Sequence, residues 1–413
     1  MMDAHNAARP TTRRFAPRPL EVLAALRRPG GAPESLSSRE HLDAALDWIR
    51  HAAAMAGNGG ISKGYSLLRG IWEPAYPETT GYTIPTLLNA ATALGRADLR
   101  QLAMSLADAL LEATTPEGGV AHWGGASRQA VVFDTGQVMF GWLSAFSMGQ
   151  DGRYLEAAIR AGDWLVSIQD PSGAWQAHQY LGLEKVIDTR VAWALLELYQ
   201  HTGKHAYREA AVRNLAWAQR HQNTAGWFAK CTLEPGADPL THTLCYTAEG
   251  LLESGLLLED RAFVDAAMLT ADALLLQQGE DGSVPATFDA AWRPTSRSSC
   301  LTGDCQVALL WLRLYLHTGE RRYYGAAERA VGFVAGTQRL RTRWRNARGA
   351  IAGSSPIYGR YERLKYPNWA AKFYIDALLL LDAVKARAFE GTGHPQRDVH
   401  FGGAAGRLLP YAG

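Results

Sequence analysis

The chain has 413 residues, 47% of them hydrophobic and 20% charged, with a formal net charge of +2. It holds enough apolar material for a large core, and its near-neutral balance argues against a protein built to bind nucleic acid or a membrane surface. No run of about 18 apolar residues is present, so no membrane span is expected.

From the N-terminus, residues 1–38 carry Arg13, Arg14 and several prolines but no apolar stretch with a cleavage site. They read as a loosely ordered arm rather than a secretory signal, which makes a cytoplasmic location the expectation. After the arm a helical pattern recurs at 40–56, 96–113, 152–168, 204–220, 260–277 and 320–337. Each copy, such as RYLEAAIRAGDWLVSIQ, places apolar residues at i, i+3, i+4 and i+7 with charges between them, as a helix packed on one side does. Six more apolar helices alternate with these: YTIPTLLNAATAL, TGQVMFGWLSAF, TRVAWALLELYQH, TLCYTAEGLLESGLLL, DCQVALLWLRLYLH and WAAKFYIDALLLLDAV. Length alone predicts two or three domains. The repeat instead predicts one all-α (α/α)6 toroid over 39–388, six helical hairpins with the apolar helices inside. An open solenoid of helix pairs would need polar end caps instead of six similar inner helices.

The inner-to-outer links are short (LGRAD, GQDGR, HTGKH, LLEDR, HTGER) and the outer-to-inner links long, each with a Gly-X step: GGI, GGV, GAW, GWF, GSV, GAI. Glycine permits the reversal after the outer helix. Loops that emerge together at one end are where function is expected. There, each inner helix starts with a polar residue: Glu78, Asp134, Asp188, His242, Thr302 and Asn368, at gaps of 56, 54, 54, 60 and 66 residues. One turn further in lie Tyr82, Gln137, Arg190, Tyr246, Gln306 and Lys372. Helix capping accounts for an Asp, Thr or Asn at such a start, and Asp134 with Gln137 fits a capping box. It does not account for Glu78 and His242, so the six together predict a polar mouth. Tyr76, Trp123, Trp175, Trp227, Tyr361 and Trp369 supply aromatic surface at the same end, which suits the apolar faces of a sugar. The arginines at 339, 341, 343, 345 and 348 are read as solvated loop charge, with an acidic sugar as the sharper alternative. The four cysteines make no CxxC pair and read as free thiols. The tail 389–413 is rich in glycine.

These motifs carry a resemblance. Residues 40–385 resemble the six-hairpin glycosidase superfamily, which contains glycoside hydrolases and polysaccharide lyases. YPETTGYTIPTLL, FDTGQVMFGW and GAIAGSSPIYGRY with YPNWAAKF resemble VpsJ-like proteins of bacterial exopolysaccharide clusters. The resemblance implies action on a polysaccharide or oligosaccharide without naming a reaction.

Glycoside hydrolysis needs two carboxyl groups, one as acid and one as base or nucleophile. Asp134 and Asp188 are the first pair, with Glu78 and Asp304 in reserve. An Asp at a helix N-terminus is held ionised by the dipole, so Asp134 is expected as the base and Glu78 or Asp188 as the acid. Neither metal nor cofactor is required. A lyase or epimerase would instead use His242, Tyr82 or Tyr246 as base, with Arg190 or Lys372 neutralising a uronate. QDPSGAW also matches the Gln-x3-Gly-x-Trp repeat of terpene cyclases, though their DxDD acid is missing. His242, Cys245 and Cys305 form a conceivable zinc set. A non-catalytic role in binding polysaccharide uses the same aromatic and polar mouth.

Overall fold

A computed structural model describes residues 37–123 and 129–389, together with Leu23 and Leu26. Twelve long helices occupy this span. The outer set is α1 (Ser38–Ala56), α3 (Ala97–Leu111), α5 (Gly152–Ser167), α7 (His205–Gln219), α9 (Arg261–Leu275) and α11 (Arg321–Thr337). The inner set is α2 (Pro77–Leu94), α4 (Val132–Gly149), α6 (Thr189–Thr202), α8 (Thr241–Leu258), α10 (Leu301–Thr318) and α12 (Asn368–Phe389). Each inner helix packs on the outer helix that follows it, and α12 packs on α1. Successive inner helices also touch, and α12 touches α2, which closes the ring. The architecture is the all-α (α/α)6 toroid.

The burial patterns give the physical reason. In α5 the buried residues are Tyr154, Ala157, Ala158, Ala161, Gly162, Trp164 and Leu165, one stripe at helical spacing. In α4 every residue from Val132 to Ala145 is buried, because other helices surround it. A helix that is apolar around its circumference must be enclosed, and a closed ring encloses six of them at once.

Small strands dress the mouth. β1 (Gly64–Ser66) pairs antiparallel with β2 (Ile71–Trp72) and with β5 (Lys365–Pro367), which joins the first long link to the last. β3 (Ser299–Cys300) pairs with β4 (Ser354–Ser355).

The long links are tied down by a device that repeats around the ring. Gln169, Gln222, Gln278 and Gln338 stand just after α5, α7, α9 and α11. Each donates its side-chain amide to two carbonyls: to Gly173 and Ala210, to Gly226 and Ala266, to Gly282 and Ala326, and to Gly349 and His41. The second carbonyl always belongs to the next outer helix, and for Gln338 that helix is α1. The Gln-Gly-Trp segment is therefore a staple between hairpins, not a relic of cyclase chemistry. Gly282 shows why glycine is needed in the link: its φ is +89° and a Cβ would lie 2.3 Å from the Arg329 carbonyl oxygen. Gln278→Ala would strand the carbonyls of Gly282 and Ala326, at a cost of about 1–3 kcal/mol. Urea denaturation at neutral pH measures this, and a loss below the experimental error would remove the staple from the account.

The helix boundaries fall within three residues of those expected, except that α2 begins five residues earlier, at Pro77, and α12 ends five later, at Phe389. The arm (1–38) lies outside the described residues except for Leu23, Leu26, Ser37 and Ser38, as does all of the tail (389–413) except residue 389. Among the described residues no helix is long and apolar enough to cross a membrane. All four cysteines are free and fully buried. Arg341, Arg345 and Arg348 line a groove beside α1 and α3 that they share with Glu40, Asp43 and Asp47.

Candidate active site

The mouth is assembled from the starts of neighbouring inner helices, and its chemistry concentrates on α2, α4 and α6. Helices α2 and α4 approach closely at Gly81, where a Cβ would sit 2.5 Å from Val138 Cα. That approach brings the link before α2 against the first turn of α4. The Tyr76 hydroxyl, just before α2, donates to Asp134 Oδ1 at 3.2 Å and also interacts with Glu78. Tyr76 stacks on His122 with ring centroids 4.9 Å apart, and His122 Nε2 stands 3.8 Å from Asp134 Oδ2. Asp134 is only 1% exposed, and its Oδ2 has no hydrogen-bond partner among the described residues.

Asp188 is placed by the link that precedes α6. Gln179 donates to its Oδ2 at 2.6 Å, while Oδ1 is buried without a hydrogen-bond partner among the described residues. In the same link Lys185, 3% exposed, donates from Nζ to the Tyr180 carbonyl at 2.6 Å. Its ammonium acts on Asp188, Asp134 and Glu78 together. A second cation, Lys63, lies 4.9 Å from the Tyr76 ring and 5.9 Å from the Trp369 ring and favours the ionised forms of Glu78 and Asp134. Sequence reasoning missed Lys63, Lys185, Gln179 and His122. All four lie in the long links, where spacing gives no register, although the three-residue step from Lys185 to Asp188 was visible.

Burial dominates the electrostatics. Removal from water pushes Glu78 up to about 7 and Asp188 up to about 7. Asp134 is raised well above the usual carboxylate range, first by burial and then by the neighbouring charge of Glu78. The expectation that the helix dipole keeps Asp134 ionised is thus corrected: desolvation of a buried carboxylate outweighs a terminal half-charge. The capping box is corrected too. Helix α4 begins at Val132 with Val131 as its uncapped N-cap, and the Gln137 Oε1 accepts from Arg190. Both Asp134 and Gln137 are spared from capping.

A carboxyl whose folded pKa lies above its unfolded value favours folding below the unfolded pKa, and that contribution is lost as pH rises through the folded one. For Asp188 the window runs from about 4 to about 7. Relative to wild type, Asp188→Asn should therefore be neutral near pH 4 and stabilising near pH 8 by at most about 4 kcal/mol. Paired thermal melts at the two pH values check this; an equal shift at both would contradict it.

The residues of the predicted lyase set are brought together but committed to other partners. His242 Nδ1 bonds the Gln306 Oε1, and burial lowers its pKa to about 4, so the imidazole is neutral. Its ring lies 4.4 Å from Tyr246 and 5.6 Å from Tyr361, and Tyr246 interacts with Tyr82. Arg190 pairs with Glu249, bonds Gln137 at 2.9 Å and lies over the Tyr246 ring at 4.9 Å. Lys372 pairs with Asp376 at 2.7 Å. These cations brace the ring interior, so neither is a free neutraliser for a uronate.

Several sequence candidates have structural occupations. Trp175 is wholly buried and donates to the Leu165 carbonyl at 2.9 Å, and Trp227 donates to the Phe288 carbonyl at 3.3 Å. Both indoles pin the loop layer, and Trp175, wholly buried, offers no face to a sugar. Trp123 packs over Gly60. Asn368 turns away from the mouth, donating to the Ser62 carbonyl and to Thr79 Oγ1, each at 2.9 Å. Asp304 accepts from the Val284 N–H at 2.8 Å. Thr80 and Thr135 do the same for the N–H groups of Ile61 and Val120, so Asp304 on α10 serves as a link anchor through Oδ1, while its Oδ2 is buried with no hydrogen-bond partner among the described residues. Tyr361 and Trp369 remain at the mouth and are joined by a 2.8 Å bond from the indole N–H to the Tyr361 oxygen. Among the described residues no group of His, Cys, Asp or Glu is arranged to hold a metal, which removes His242, Cys245 and Cys305 as a zinc set.

No protein-family profile matches the chain, and no curated protein matches it in sequence. Its fold does have solved counterparts. An unsaturated glucuronyl hydrolase specific for heparin superposes with a TM-score of 0.69 at 16% identity, over 84% of this chain and 98% of that one. The unsaturated glucuronyl hydrolase of Bacillus sp. GL1, described as responsible for the degradation of glycosaminoglycan, gives the same score and identity over 84% and 97%. A substituted form of the Streptococcus agalactiae enzyme, complexed with dGlcA-GalNAc6S, gives 0.62 at 14% identity over 83% and 90%. At these identities the likeness is one of fold, the six-hairpin toroid.

Proposed function

We propose that this chain is a glycoside hydrolase acting on oligosaccharides that end in a uronate, of the kind released from acidic polysaccharides. The observation that carries the reading is the pair Asp134 and Asp188. Asp134 lies in the first turn of α4 and Asp188 immediately before α6; both are buried, and each has one carboxyl oxygen with no hydrogen-bond partner among the described residues. Lys63 and Lys185 stand beside them. Burial raises the pKa of all three carboxyls and so weakens their negative charge beside the two ammonium groups, which suits an anionic sugar.

The roles follow from the environments. Asp134, whose proton is held by burial and by the neighbouring charge of Glu78 against the opposing pull of the Tyr76 hydroxyl, serves as the acid that protonates the leaving oxygen. Asp188 faces Lys185, which stabilises its ionised form, and serves as the base that activates water. This reverses the assignment of acid and base expected from the sequence, because burial outweighs the dipole. Tyr76 and Gln179 orient the two carboxyls. The solved counterparts act on unsaturated glucuronyl substrates, which supports the uronate end as the group recognised. The exopolysaccharide resemblance and a cytoplasmic setting enter the proposal as the source and place of the substrate.

The test is a panel of unsaturated uronyl oligosaccharides from glycosaminoglycans and bacterial exopolysaccharides, with products read by mass spectrometry. Release of a monosaccharide, with one water gained per cleavage, supports hydrolysis. A new unsaturated end would indicate a lyase, and no product from any member would leave binding as the function.

A further inference from the structure

The link that carries Gln179 and Lys185 also carries two large apolar side chains directed into solvent. Tyr180 is 56% exposed and Leu181 55% exposed, on a short 3-10 turn of residues 180–182. Leu181 adopts φ +59°, and His178, in the same link, adopts φ +61°. A leucine in the left-handed region is strained, and here no burial offsets it. The turn is nonetheless tied to the catalytic cluster at both ends: Gln179 holds Asp188, and Lys185 donates to the Tyr180 carbonyl. The Lys185 ammonium also lies 5.5 Å from the centroid of the Tyr180 ring, which covers one face and leaves the other to solvent. Glu184 is paired with Lys230, anchoring the link to the next one.

We infer that the Tyr180–Leu181 turn is the platform on which the leaving-side sugars of the substrate rest, so that these two residues select longer oligosaccharides over short glycosides. This rests on the hydrolase reading. A flat aromatic face with one side pinned and one side open matches the C–H face of a pyranose, and an adjacent aliphatic group extends the surface toward the following residue of the chain. Continuity with Asp188 through Gln179 and Lys185 puts the turn at the rim of the site, and in a substrate cut at its terminal uronate every further sugar is on the leaving side. An alternative occupant, a second copy of the chain, finds only two apolar side chains here, too little surface for a stable dimer.

The experiment compares an unsaturated uronyl tetrasaccharide, made by lyase digestion of a glycosaminoglycan, with the methyl glycoside of the same unsaturated uronate. Tyr180→Ala keeps the carbonyl that holds Lys185. It should raise KM for the tetrasaccharide roughly five- to tenfold. For the methyl glycoside kcat/KM should change less than about twofold, since that substrate does not reach the ring. Tyr180→Phe should behave as wild type. Equal losses on both substrates, or no loss on the tetrasaccharide, would overturn the platform. If the wild type cleaves neither, the hydrolase reading fails by itself, and calorimetric binding of the tetrasaccharide decides the platform: weaker binding by Tyr180→Ala upholds it, and unchanged or absent binding overturns it.

Discussion

Asp134→Asn is expected to lower kcat by roughly 10³-fold on any substrate that the wild type cleaves, with the fold intact. The amide is nearly isosteric and still accepts from the Tyr76 hydroxyl, which now bonds Asp134 Oδ1. It cannot deliver a proton to a leaving oxygen. Substrate binding should survive, so KM should move far less than kcat. The same change relieves the mutual repulsion with Glu78, and the variant should melt higher than wild type above pH 7. A loss of activity with a raised melting point separates removal of a catalytic group from damage to the fold. Retention of more than about a tenth of wild-type kcat would remove Asp134 from the role of acid. Tyr76→Phe offers a graded comparison, because it withdraws only the hydroxyl that Asp134 and Glu78 share.

Arg313→Met is expected to destabilise the toroid by about 3–5 kcal/mol. Arg313 on α10 grips Glu253 on α8 in a bidentate pair, Nε to Oε1 at 2.5 Å and a terminal nitrogen to Oε2 at 2.6 Å. Both side chains are less than a tenth exposed. Removing one partner leaves an unpaired charge inside the ring, whereas Arg313→Met combined with Glu253→Leu removes both and should recover most of the loss. Urea denaturation of the two single variants and the double decides it; a double variant as weak as the singles would show that the pair is not what holds α8 to α10. The contrast with the mouth is informative. Arg313–Glu253, Arg190–Glu249 and Lys372–Asp376 are matched pairs that brace the interior. Glu78, Asp134 and Asp188 face two lysines without such closed pairing, and unpaired polarity of this kind is what a reacting site requires.

The toroid was legible in the chain because helical periodicity and the contrast between one-sided and all-round apolar helices are local properties, and twelve repetitions leave few ways to satisfy them. Asp134, Asp188 and Glu78 were legible for the same reason: they recur at a fixed place in a repeat. What tertiary structure decided was which polar repeats face the cavity and which fasten loops. Asp304, Thr80 and Thr135 all anchor a link N–H, and Trp175 and Trp227 cap carbonyls, although their spacing is the same as that of residues at the mouth. Lys63 and Lys185 reach the carboxyls through links whose course depends on hydrogen bonds to distant segments, such as that from the Val186 N–H to the Lys230 carbonyl. The protonation of the site was likewise hidden. A sequence shows the dipole at a helix start, but the depth of burial that overrides it exists only once six hairpins have closed around the carboxyls.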